Sequence, residues 1–193
     1  MNIYTTRPPQ IETTRTLGNY VTAIHMDIRE LTTEEFQAAF PDGLPAPAEE
    51  FDAPDTYLSG QQTAWTATDY FLYHDTPNPD PGKVKDVIDA HINAKTDQRI
   101  LSGFVWNGKN VWLSDENQRN FSEAQRAAMI TNGASLPMTF KLGEDAQKNP
   151  IYHEFTTVEE LTSFYLSVVA YINQCLNEGW REKDANLDVN GNE

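Results

Sequence analysis

Residues 103–113 read GFVWNGKNVWL, two apolar runs, each carrying a tryptophan, on either side of Asn107-Gly108. Asn-Gly is a strong two-residue hairpin signal, because both turn positions must accept positive φ for the turn to match the twist of the strands. Pairing Trp106 with Lys109 sets Val105 opposite Asn110 and Phe104 opposite Val111. Side chains alternate along a strand, so Phe104, Trp106, Lys109 and Val111 share one face, while Val105, Asn110 and Trp112 share the other. The two tryptophans therefore point to opposite faces. This parity predicts a structural hairpin with Trp106 inward, not a platform displaying both rings.

The flanking segments extend the pattern. Val84, Val87, Ile88, His91 and Ile92 recur at helical spacing, predicting a helix over 83–101 that Gly103 stops. Ser114 or Asp115 can cap a second helix running to about Asn132, with Phe121, Ala124, Ala128 and Met129 as its apolar stripe and Gly133 at its left-handed end. PMTFKL (137–142) and IYHEF (151–155) have strand composition. Thr157 and Glu160 form a capping box for a third helix. Leu161, Phe164, Tyr165, Val168, Ile172, Cys175 and Leu176 line its apolar face, and Gly179 is expected to end it. The order is α-β-β-α-β-β-α, an α+β fold whose antiparallel hairpins are packed by helices.

The first part of the chain reads as strand and loop. Tyr20, Ile24, Met26 and Ile28 alternate at period two, which places His25 on the polar side. LTTEEFQAAF is a short helix with Thr32 and Glu35 as a capping box. Residues 41–60 form a long Pro-, Ala- and acid-rich loop suited to draping over a partner. TAWTATDYFLY (63–73) has strand composition. DTPNPDPG (75–82) holds three prolines and a glycine and reads as a linker. The expected division is a docking region over 1–75, a linker over 76–82, an α+β domain over 83–182 and a flexible polar tail over 183–193.

Net charge is −15. Residues 1–82 hold three Lys or Arg against thirteen Asp or Glu, a net of −10, and residues 83–193 hold eleven against sixteen, a net of −5. Such a field repels phosphate, so neither nucleic acid nor an anionic membrane surface is an expected partner. No apolar run approaches the roughly 20 residues of a membrane span. MNIYTTRPPQ lacks the charged and apolar regions of a signal peptide, which makes synthesis in a cytoplasm the expectation.

Catalytic and metal signals are weak. Cys175, the single cysteine, lies on the apolar face of the third helix and reads as a buried thiol rather than a nucleophile. His25, His74, His91 and His153 share no ligand spacing. Residues 186–191 match the early positions of a calcium loop, but the chain ends before the twelfth-position glutamate. No catalytic, cofactor or metal residue is assigned. Trp65, Tyr70, Tyr73 and Trp112 are the candidates for interaction.

Several separated pieces occur together between about Val84 and Asp184: HINAKTDQRILSGFVWNGKNV, SDENQRNFSEAQRAAM, the strand pair and INQCLNEGWREKDA. In that order they resemble an uncharacterised domain of bacteriophages and prophages, often encoded near tail-fibre genes. The resemblance implies a virion protein made in the host cytoplasm. It points to a structural component of the tail, baseplate or fibre, acting on other virion proteins and possible as a homo-oligomer. A fibre-assembly chaperone absent from the finished particle is the alternative. A carbohydrate-active hydrolase is the alternative of another class. The family supplies no catalytic residues to carry over.

Overall fold

The computed structural model describes residues 2–42 and 63–188. The chain divides into two compact units, Met1–Ile88 and Asp89–Glu193.

The first unit is built on a four-stranded antiparallel sheet of order β1-β4-β3-β2, from β1 (Asn2–Tyr4), β2 (Ile11–Thr16), β3 (Asn19–Glu30) and β4 (Trp65–His74). Ile24 and Met26 are buried on one face. The β3–β4 register shifts between Met26 and Arg29, so that Asp27 and Ile28 oppose Ala67 alone. Asp27 takes φ 52 at this bulge. An inserted residue inverts the alternation beyond it, so Ile28 does not continue the face of Ile24 and Met26. Helix α1 (Thr33–Ala39) has the expected capping box: the Glu35 N–H donates to Thr32 Oγ1, and the Thr32 N–H donates back to Glu35. A bidentate pair from Arg29, 2.7 Å at both oxygens, first, and then the Thr32 N–H lower the Glu35 carboxyl to about 2.

Helix α2 (Pro81–Ser102) begins inside the stretch expected to be a linker. Proline suits the first turn of a helix, since the N–H it lacks would be unpaired there. The Asp80 carboxylate accepts the Gly82 N–H at 2.9 Å and caps the start. The boundary between the units falls at Ile88/Asp89, within α2, six residues beyond Gly82.

In the second unit, hairpin β5 (Phe104–Trp106) and β6 (Lys109–Val111) has the expected register. Asn107 and Gly108 take φ 48 and 72, the left-handed pair its turn requires. Helix α3 (Asp115–Ile130) is capped by Ser114. Hairpin β7 (Met138–Glu144) and β8 (Pro150–Phe155) follows, then α4 (Val158–Asp188). The Trp112 N–H donates to the Leu142 carbonyl at 2.7 Å, which brings the two hairpins edge to edge. Their inner faces and helices α3 and α4 enclose one core, in which the rings of Trp106, Phe121, Phe155 and Phe164 meet at 4.9–5.6 Å.

Three further expectations change. Helix α4 runs nine residues past Gly179, through the first part of the expected tail. Gly179 serves packing instead: a Cβ there would lie 2.5 Å from Thr96 Oγ1, so the glycine lets α2 and α4 approach. The helices run antiparallel and are tied by Lys95–Glu182 at 3.1 Å, by Arg99–Glu178 and by Lys183–Asn93 at 2.6 Å. Gln174 first and Arg99 second hold the Glu178 carboxyl below the usual range. Met129, expected on the α3 stripe, is exposed, because Phe121, Ala124 and Ala128 already define the buried line. His25, expected on a polar side, is buried. The 41–60 loop and the calcium-like tail lie largely outside the described residues.

Candidate interaction surfaces

Two histidines among the described residues, His25 and His153, each sit within a cluster of ionisable side chains. In the first unit, β1, β3 and β4 bring Tyr4, His25 and Asp69 to one sheet face. The Asp69 carboxylate accepts from Nδ1–H of His25 at 2.7 Å, from the Tyr4 hydroxyl at 2.5 Å and from the Asn2 amide. The His25 and Asp69 side chains are 5% and 2% exposed. Burial pushes the Asp69 carboxyl up, but the hydrogen bonds from Tyr4, Asn2 and His25 outweigh it and hold it below its usual range. Tyr4 is pushed up to about 12, first by burial and then by its bond to Asp69. A base oriented by an acid resembles half of a nucleophilic site, yet among the described residues no Ser, Thr or Cys hydroxyl or thiol bonds to His25. The arrangement closes on itself and ties β1 to the sheet.

In the second unit, His153 of β8 lies between Lys109 Nζ, 3.1 Å from Nδ1, and Glu160 Oε1, 2.9 Å from Nε2. The ammonium can only donate, so Nδ1 accepts and Nε2–H donates. At the start of α4 the Glu160 N–H donates to Thr157 Oγ1 and the Glu160 carboxylate accepts from the Thr156 N–H, one half of the expected capping box, and the imidazole edges onto Trp106. This set closes the rim of the core. No group of three potential metal ligands occurs among the described residues.

Each unit also presents some large apolar side chains to solvent. In β4, Phe71 and Tyr73 are 54% and 79% exposed on the face opposite Ile24, beside the Asp69 network. On the outer face of the second unit, Trp112 and Tyr152 flank Lys141: Tyr152 pairs across the strand with Lys141, whose Nζ lies 5.5 Å above the Trp112 ring. Trp112 is 39% and Tyr152 59% exposed, with Val105 beside them. A groove of about 640 Å³ between α3 and α4 is edged by Met129 and Leu166, both more than half exposed.

The four candidates from the sequence are thus divided. Trp65 is partly covered, with the Arg7 guanidinium 5.5 Å above its ring. Tyr70 and Tyr73, three residues apart, fall on opposite sheet faces, with Tyr70 on the face of Ile24. Tyr73 and Trp112 remain at the surface. Phe71 and Tyr152 were not singled out, although alternation with Tyr70 and His153 places them outward.

Residues 83–191, more than half the chain, match the family model described as Domain of unknown function (DUF4376). The chain belongs to the DUF4376 family. The matched stretch of this DUF4376 protein holds both hairpins, α3 and α4, and nearly all of α2. The four-stranded sheet of the first unit lies outside the match. No curated protein and no solved structure matches the chain.

Proposed function

We propose that the chain is a non-enzymatic bacteriophage structural protein of the tail, baseplate or fibre that works through contacts with other virion proteins. The observation that carries this reading is the display of aromatic side chains on a sheet face in each unit, Phe71 with Tyr73 and Trp112 with Tyr152. Contact surfaces are enriched in such residues and depleted in charge at their centres. In each unit the ionisable cluster bonds within itself. The order of motifs from HINAK to GWREK adds the phage setting by resemblance, and the net charge of −15 argues against a nucleic-acid partner.

Mass spectrometry of purified virions tests the reading. The expected result is this chain at a stoichiometry fitting three-, six- or twelve-fold symmetry. Its absence from particles, together with co-purification with fibre protein during infection, would replace the structural role with that of an assembly chaperone. Hydrolysis of host surface polysaccharide by the purified chain would overturn both.

A further inference from the structure

Helix α4 carries two apolar stripes. The first, through Leu161, Phe164, Val168 and Cys175, is buried. The second, Tyr165, Val169, Ile172, Leu176 and Trp180, recurs at spacings of four, three, four and four and so forms one continuous line on the helix surface. It is only partly covered, and Trp180 at its end is 56% exposed. Two hollows of about 490 and 770 Å³ lie along this line, between α4, the first turns of α3 and the last turns of α2. They share Asp115, Gln118, Arg119 and Ile172, and so form one trench. Leu101 of α2 completes its floor.

The rim has a sign. Among the residues that line the trench, Asp97, Asp115 and Glu116 stand against one cation, Arg119. All four are exposed, and none takes part in an ion pair among the described residues. The hollows follow the stripe from Tyr165 to Leu176, 11 residues or about 16 Å at 1.5 Å per residue, and Trp180 stands one helical turn beyond them. An apolar floor of this length between helices is the geometry that receives an amphipathic helix, and the rim selects one flanked by Lys or Arg.

We infer that the α2–α3–α4 trench docks a basic amphipathic helix of a partner protein, with Trp180 covered at one end. This rests on the reading of the chain as a contact protein and specifies the chemistry of one partner segment.

The test uses the full chain and three labelled peptides of about 16 residues, long enough to reach from Tyr165 to Trp180. One has leucines on a helical stripe with lysines elsewhere, the second replaces each lysine by glutamate, and the third scatters the leucines. Fluorescence anisotropy should show the lysine helix binding at least tenfold more tightly than the other two and weakening as salt rises. Trp180→Ala, and Asp97→Asn combined with Glu116→Gln, should each weaken it about tenfold. All these side chains are exposed, and circular dichroism verifies that the variants stay folded. Leu166→Glu, in the other α3–α4 groove, should leave binding unchanged. Equal binding of the three peptides, indifference to the trench variants, or loss with Leu166→Glu overturns the assignment. A virion partner that binds the wild-type chain and the trench variants equally overturns the trench while leaving the contact role standing.

Discussion

Three donors converge on the Asp69 carboxylate, and this residue governs how the first unit responds to pH. The side chain is 2% exposed, so removing its charge strands Tyr4, Asn2 and His25 beside an amide that cannot accept from all of them. Asp69→Asn is expected to cost about 3 kcal/mol at pH 7, measured by urea unfolding, in the range for breaking a buried charged pair. The sign of the pH effect follows from the lowered folded value. The unfolded chain takes up the proton first, near the ordinary carboxylate value of about 4. The stabilisation is therefore complete above that pH and is lost as pH falls through the lower folded value. The gap between wild type and Asp69→Asn should narrow across that window, and a gap that stays constant would mean the carboxylate is not what holds the network. Tyr4 acts at the other end of the scale. Its hydroxyl is raised from 10 to about 12, so the stability it contributes is present below pH 10 and fades as pH climbs towards 12. Tyr4→Phe should be less sensitive over that interval than wild type.

Among the elements, the hairpin GFVWNGKNVWL offers the sharpest contrast. Trp106 meets Phe155 and Phe164 at 5.6 and 5.0 Å, whereas Trp112 lies on the outer face under Lys141. Trp106→Ala is expected to cost about 3–5 kcal/mol as a core truncation. Trp112→Ala is expected to cost only about 1 kcal/mol. Equal losses in thermal or denaturant unfolding would contradict the parity. Gly179 sets two effects against each other. Alanine is the better helix former by about 1 kcal/mol, but its Cβ would meet Thr96, a β-branched and buried residue that cannot swing aside freely. Overpacking costs about 1–3 kcal/mol, so Gly179→Ala should destabilise α2 against α4, and Thr96→Ala in the same chain should recover part of the loss. That recovery is a coupling energy readable in a double-mutant cycle. These elements also show what the sequence makes legible. Turn chemistry, capping boxes and period-two alternation are local, and they located β5–β6, α1, α3 and the start of α4. The role of Gly179 depends on a helix eighty residues earlier in the chain. The burial of His25 depends on Tyr4 and Asp69 from two other strands, and the face of Ile28 on a one-residue bulge, and no local pattern carries either. For the same reason Tyr73 and Trp112 could be assigned to the surface, while Tyr70 needed the strand register before its face was known.

At the scale of the whole molecule, two compact units share one helix, and the tryptophans report on them separately. Trp65 belongs to the first unit, and Trp106, Trp112 and Trp180 to the second. The second unit has a closed aromatic core of its own and matches the DUF4376 family model over most of its length. The first rests on one sheet held together in part by a buried polar network. Their junction lies within α2, where Val84 and Ile88 on one side and Ile92 and Thr96 on the other are all buried. Unfolding the first unit therefore exposes part of a helix whose remainder stays packed on α4. A single cooperative transition requires that loss to bring down the second core as well. The Lys95–Glu182 and Arg99–Glu178 ties, with the Gly179 contact, hold the remaining half of α2 from Asn93 onward, so the helix can fray back to that point without disturbing the aromatic cluster. Equilibrium unfolding in urea should accordingly show two transitions, the earlier one reported by Trp65 and removed from the fluorescence trace in Trp65→Phe. The later one should coincide in fluorescence and far-ultraviolet circular dichroism. A fragment beginning at Pro81 should reproduce the later transition at nearly the same midpoint. Coincident transitions in the full chain, or a fragment that fails to fold, would show instead that α2 couples the units into one cooperative body.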